Sequence, residues 1–112
     1  MQRVIAEIYQ SGGIIGAVCH RVSGLVNVKL ENGKNMVDGK NLNSFINGQE
    51  IAVNNQNNVP FMLETKLIKN GAIFHKSPNF TAHCQVDGNL ITGQNPQSAK
   101  LVGQKMLEIL LK

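Results

Sequence analysis

A cysteine and a histidine stand side by side where an apolar run ends, in the segment "GGIIGAVCHRV". The run from Ile14 to Val18 predicts a strand that is apolar on both faces, and residues 20–28 predict a short helix. At a sharp strand-to-helix turn a thiol stands clear of the backbone, as in a nucleophile elbow. A helix N-terminus there would favour the thiolate of Cys19. His20 could relay a proton if an acid orients its ring, so this hypothesis requires a carboxylate from elsewhere.

Helix and strand patterns alternate along the chain, which is typical of an α/β layered fold. Two Asp-Gly pairs, in "NMVDGKNL" and "CQVDGNLIT", each predict a tight hairpin. Asn95 is expected to cap the last helix, with Pro96 in its first turn. We interpret residues 1–112 as a single domain, because no linker or long-period repeat interrupts the pattern. The other predicted elements are helices over residues 2–11, around 50–53 and from Pro60 (capped by Asn58) to Asn70, a strand at "AIFH" and a loop at "NNQNN".

Composition and charge exclude several classes of function. The 112 residues are 42% apolar, enough for a core, and no apolar run approaches the roughly 20 residues of a membrane span. The net charge of +4 comes from scattered lysines without interleaved aromatics, which argues against nucleic-acid binding. Arg3 and Glu7 interrupt the apolar start, so we expect no signal peptide and a cytoplasmic protein. Neither a disulfide nor a metal site is expected at Cys19 and Cys84.

Several segments resemble a known family, among them "GLVNVKL", "MVDGKN" and "VPFMLETKL". The pairing of "AVCH" with "VDGNLITGQNP" is the most specific. From Arg3 to about Lys105 the sequence is similar to the ThiJ/PfpI family of class I glutamine-amidotransferase-like proteins. Within it the chain resembles the heat-shock glyoxalases, which act on methylglyoxal without glutathione and are also described as deglycases and holding chaperones. The resemblance implies a flavodoxin-like three-layer sandwich with a nucleophile elbow, of which this chain is similar to the C-terminal half only.

The resemblance also implies roles for three residues. Cys19 corresponds to the nucleophile and His20 to its neighbouring histidine, while the segment "GKNLNSFINGQE" places the orienting acid at Glu50. The local sequence pattern also favours Glu50 as the acid, because Glu50 opens a predicted helix beyond a strand. Three other acids lie in predicted turns: Glu31, Asp38 and Asp87. A plainer alternative stays open for each of the three site residues. Cys19 could be a small buried apolar residue, His20 a structural histidine, and Glu50 an ordinary acid at a helix start.

By this resemblance the thiol attacks an aldehyde carbon to form a hemithioacetal, His20 shuttles protons, and uptake of water gives a hydroxy acid. No cofactor is implied. Arg21 and Val22 stand where the family has glycine and proline. Arg21 would either lower the pKa of Cys19 or crowd the pocket, and the sequence does not decide between these effects. Cys84 and its neighbour His83 are interpreted as ordinary strand residues.

The half of the family's domain that this chain does not match brings the first strands, an acid that touches the cysteine, and a glycine-rich loop that donates to the oxyanion. We therefore expect weak or no activity from the chain alone, and an exposed edge along the Ile14–Val18 strand. Three interpretations follow: an impaired glyoxalase- or deglycase-like half-domain, a non-catalytic remnant or chaperone-like interaction protein, and one chain of a split enzyme. The expected partners are a small aldehyde and, at the exposed edge, a second copy or the other half.

Overall fold

The secondary structure is known from a computed structural model that describes residues 2–54, 57 and 61–111. Two 3₁₀ segments, Cys19–Leu25 and Pro96–Ser98, accompany four α-helices and five short strands. The helices are α1 (Gln2–Gln10), α2 (Asn47–Ala52), α3 (Leu63–Lys69) and α4 (Ala99–Leu110). The strands are β1 (Ile15–Val18), β2 (Asn41–Leu42), β3 (Ile73–Phe74), β4 (Cys84–Asp87) and β5 (Leu90–Gly93).

The strands form two sheets. In the larger sheet the order is β1-β5-β4, with β5 parallel to β1 and antiparallel to β4. The smaller sheet is a parallel pair of β2 and β3. This mixed α/β arrangement confirms the predicted fold class.

Side chains alternate between the two faces of β1 and β5, and each face is covered by different elements. On one face α4 packs closely, since a Cβ on Gly93 would lie 2.8 Å from Cγ2 of Val102. On the other face Leu90 is fully buried in the main core, together with Leu42 and Leu67. The larger sheet is therefore a central layer between α4 and that core.

The two predicted hairpins have different outcomes. The hairpin at Gly88 is confirmed, because β4 turns there into β5 and Asp87 pairs with Leu90. The hairpin predicted at the first Asp-Gly pair is wrong, although Gly39 does lie in a turn with φ +74°. The residues before that turn, Met36 and Val37, are fully buried in the core instead of pairing as a strand.

The other local predictions are largely confirmed. Helix α1 ends before Gly12, whose φ of +90° suits a helix C-terminus. Asn95 differs from the prediction, because its side-chain oxygen accepts a hydrogen bond from the Ser98 hydroxyl and caps no backbone N–H. The predicted roles of Asn58 and Pro60, and most of the loop predicted at "NNQNN", lie outside the described residues.

Strand β1 has a neighbouring strand on one side only within the described ranges, so it lies at the edge of the larger sheet. This agrees with the expected exposed edge. The segment that follows β1 is a 3₁₀ helix over Cys19–Leu25, where the sequence predicts a helix over residues 20–28. No helix among the described residues is both long and apolar enough to cross a membrane.

Candidate active site

The chain turns sharply at Cys19, directly after β1. Val18 is extended, with φ −133° and ψ 143°, whereas Cys19 has a left-handed backbone with φ +60°. A residue with a Cβ adopts this conformation at a cost, and such residues concentrate at functional sites. A strained strand-to-helix turn that carries the thiol is the geometry of a nucleophile elbow.

The structure brings the three predicted site residues together. Nδ1 of His20 lies 3.8 Å from Sγ of Cys19, and Nε2 of His20 contacts the Glu50 carboxylate. Because a carboxylate only accepts, the imidazole proton belongs on Nε2, and Nδ1 can then accept the proton of the thiol. The Glu50 side chain is 2% exposed and that of His20 is 46% exposed, so the acid is sheltered while the base reaches solvent.

Glu50 is positioned by the first turn of α2. That helix begins without a side-chain cap from its own N-cap residue, Ile46. Its N-terminal N–H at Asn47 donates instead to Oε1 of Glu64, at 2.9 Å, and Lys76 neutralises the other oxygen of Glu64 at 3.1 Å. An acid from α3 thus caps the helix that presents Glu50, a role for Glu64 that the sequence analysis does not identify.

The pKa of the Cys19 thiol is raised above its ordinary value. Burial is the main cause, the Glu50 carboxylate adds to it, and a hydrogen bond from the backbone N–H of His20 to the sulfur opposes both. The sequence predicts a lowered pKa for Cys19, so the direction is opposite to the prediction. Burial and the negative charge of Glu50 outweigh any stabilisation of the thiolate by the short 3₁₀ segment. The Arg21 side chain lines a groove with Gly16 and Met106, along β1.

We expect alkylation of Cys19 by iodoacetamide to rise with pH through a midpoint above that of a free cysteine. Glu50→Gln removes a negative charge that raises this pKa, so the midpoint should move to lower pH. Mass spectrometry of both cysteines against pH measures the two curves, with Cys84 as the internal reference. An unchanged or higher midpoint in Glu50→Gln would contradict the assigned electrostatics.

Two aromatic residues that the sequence analysis misses, Phe45 and Phe80, form a row of rings that ends at His20. The ring of Phe45 lies against His20, with 4.2 Å between ring centroids, and Phe80 meets Phe45 edge-on at 6.0 Å. Phe45 lies inside the segment that identifies Glu50, which is the one signal that could have indicated it. Phe80 comes from a loop far away in sequence, and no local pattern points to it.

The remaining candidates take no part in this cluster. Cys84 lies in β4 opposite Gly93, and burial raises the pKa of its thiol. Both cysteines are free. Among the described residues no group of three or more histidine, cysteine or acidic side chains could hold a metal ion.

Comparisons with known proteins give relatives for almost the whole chain. No family model matches. A glutathione-independent glyoxalase of Schizosaccharomyces pombe is 31% identical over 118 residues, covering 98% of this chain and 49% of that protein. The solved structure of Rapid Encystment Protein 24 KDa from Francisella tularensis is 36% identical, with a TM-score of 0.94 over 97% of this chain and 48% of that one.

The crystal structure of glyoxalase III from Candida albicans shares the fold, with a TM-score of 0.84 and 24% identity. It is matched over 96% of this chain and 47% of its own. The chain therefore spans about half the length of the relatives it matches.

Proposed function

This chain belongs with the glutathione-independent glyoxalases of the ThiJ/PfpI type, about half of whose length it matches, and we propose that it supplies the thiol half of such an active site. The substrate class is a small 2-oxoaldehyde such as methylglyoxal. The observation that carries the proposal is the contact of one imidazole with both the Cys19 sulfur and the Glu50 carboxylate. Deglycase activity and a cytoplasmic location stay predictions.

The proposed reaction begins from the neutral thiol, because the pKa of Cys19 is raised. The sulfur attacks the aldehyde carbon while its proton passes to Nδ1 of His20, and the carbonyl electron pair moves to oxygen, which takes up a proton. His20 then moves a proton from the former aldehyde carbon to the neighbouring carbonyl carbon, and the hydroxyl proton of the hemithioacetal passes to the oxygen of that neighbouring carbon, which leaves the thioester of a 2-hydroxy acid. Water cleaves the carbon–sulfur bond, releasing a 2-hydroxy acid and the thiol. Glu50 stabilises the imidazolium whenever His20 holds the extra proton.

The chain supplies part of the oxyanion site. In a nucleophile elbow, one donor is the backbone N–H after the nucleophile, and a second N–H comes from another loop. His20 directly follows the nucleophile, so its backbone N–H corresponds to the first of these donors. We assign the second donor to the half of the relatives that this chain does not match, and we therefore propose that the chain alone is weak or inactive.

The edge of the larger sheet favours a second candidate, a split enzyme. Strand β1 has its open side beside a groove lined by apolar side chains such as Ile5 and Met106. An open, apolar strand edge favours pairing with another strand. A complementary half pairing there would also lie next to Cys19, which directly follows β1.

The experiment measures D-lactate formed from methylglyoxal, with this chain alone and with the unmatched half of the S. pombe relative added as a separate chain. Cys19→Ala should abolish all activity, whereas Cys84→Ala, at the other cysteine, should retain it. Activity that survives in Cys19→Ala, or that is lost equally in both variants, overturns the proposal.

A further inference from the structure

Phe80 adopts a backbone conformation that its side chain disfavours. Its φ is +56°, in the left-handed region, where a bulky aromatic residue is an outlier. Such a conformation persists only where the surrounding structure enforces it. The contacts that hold Phe80 in this conformation therefore indicate its role.

Residues 77–81, here called the Phe80 loop, are held at both ends by two buried side chains. The Gln94 amide accepts from the N–H of Ser77 at 2.9 Å and donates to its carbonyl at 3.1 Å. Nδ2 of Asn95 donates to the carbonyl of Thr81 at 2.7 Å. Both Gln94 and Asn95 are fully buried where β5 leads into α4, so the loop is anchored to the rigid centre of the fold.

The anchored loop directs the ring of Phe80 towards the active site. Phe80 meets Phe45 edge-on, and Phe45 in turn lies against His20. Phe45 is 4% exposed and Phe80 is 37% exposed, so Phe80 closes the outer side of this row of rings. The Phe45 ring therefore contacts both Phe80 and His20, and both contacts limit its position.

We propose that Phe80 is a positioning residue, which acts through Phe45 to keep Nδ1 of His20 directed at the Cys19 sulfur. The inference rests on the proposed function. The Glu50 bond restrains His20 only at Nε2 and leaves rotation about that contact, whereas a ring packed against the imidazole face opposes this rotation. Phe80 therefore acts on the contact between nitrogen and sulfur, 3.8 Å long, on which proton transfer depends.

The left-handed backbone makes a sharp test possible. Phe80→Gly removes the ring and relieves the backbone strain together, so the fold should be retained while the site loosens. We expect the rate of Cys19 alkylation at neutral pH, relative to Cys84, to fall by at least ~3-fold, because the thiol loses its aligned base. The NMR signals of the His20 ring should shift in the same variant.

Phe80→Tyr keeps the ring and should restore both readouts. Phe61→Ala is the matched control, since Phe61 is 39% exposed, close to the exposure of Phe80, and it should change neither readout. Phe80→Leu keeps apolar bulk without an aromatic edge and provides a second folded variant if Phe80→Gly unfolds. A folded Phe80→Gly or Phe80→Leu with wild-type alkylation and wild-type His20 signals would overturn the inference.

Alkylation does not require glyoxalase turnover, so the two proposals fail separately. An absence of D-lactate from the two-chain assembly, with a slower Cys19 in Phe80→Gly, rejects the glyoxalase assignment and supports the positioning role. Turnover that depends on Cys19, together with unchanged Cys19 alkylation in Phe80→Gly, supports the glyoxalase assignment and rejects the positioning role of Phe80.

Discussion

Adding the unmatched half of a glyoxalase relative should raise the rate at which this chain converts methylglyoxal to D-lactate by roughly 100- to 1000-fold. That factor is what one oxyanion donor typically contributes to acyl-transfer catalysis, ~2.7–4 kcal/mol of transition-state stabilisation. The thiol, its base and the orienting acid are assembled within this chain, whereas we assign the second oxyanion donor to the half of the relatives that this chain does not match.

The measurement is initial rate against methylglyoxal concentration, with and without the second chain. The increase should appear mainly in kcat, because a donor to the developing oxyanion acts on the transition state. A Gly16→Arg variant serves as a control for docking along the open strand, since Gly16 lies in the middle of β1 and a side chain there would displace Met106 of α4. Circular dichroism checks that this variant is folded. That variant should lose the response to the second chain. Full turnover by the chain alone would show that it carries a complete site.

The features that depend only on neighbouring residues, namely the turn at Cys19 and the hairpin before β5, could be predicted from the sequence. An apolar strand that ends in Cys19 and His20 determines its own turn, and the Asp-Gly pair before β5 determines a hairpin, because each depends on neighbouring residues. The first Asp-Gly pair has the same local pattern but a different outcome. Met36 and Val37 are buried in a core that is assembled from distant segments, and this tertiary packing outweighs the turn signal.

The pKa of Cys19 and the packing of Phe45 and Phe80 beside His20 also depend on residues that are distant in sequence. The predicted fall in the pKa of Cys19 considers the helix start and the neighbouring Arg21 and His20, whereas the structure adds burial and the charge of Glu50, a residue distant in sequence. Phe80 contacts Phe45, which lies against His20, and the loop that carries Phe80 is anchored by Gln94 and Asn95. The "GQNP" segment contributes to the resemblance, but its physical role is visible only once the chain is folded.

We expect Gln94→Leu to lower the free energy of unfolding by ~2–5 kcal/mol, since a buried group left without its partner costs about 1–3 kcal/mol. The Gln94 side chain is the shared partner of two segments. Its amide donates to Oε1 of Gln49 at 2.9 Å and exchanges hydrogen bonds with the backbone of Ser77. Leucine keeps most of the volume but none of these bonds. Because Nε2 of Gln49 has no hydrogen-bond partner within the described residues, the substitution removes a bond from an amide that is already half satisfied.

Urea denaturation followed by circular dichroism measures the loss, and Gln97→Leu is the matched control. Gln97 is the same residue type in the same segment but is exposed, so its substitution should change the free energy by no more than ~0.5 kcal/mol. A loss below ~1 kcal/mol in Gln94→Leu, or equal losses in both variants, would contradict the assigned network. Gln49 directly precedes Glu50 in α2, and Ser77 begins the Phe80 loop, so Gln94 connects the two segments that carry Glu50 and Phe80, the residues assigned to orient His20. Alkylation of Cys19 should therefore slow in Gln94→Leu under conditions where the protein is still folded, and it should stay unchanged in Gln97→Leu.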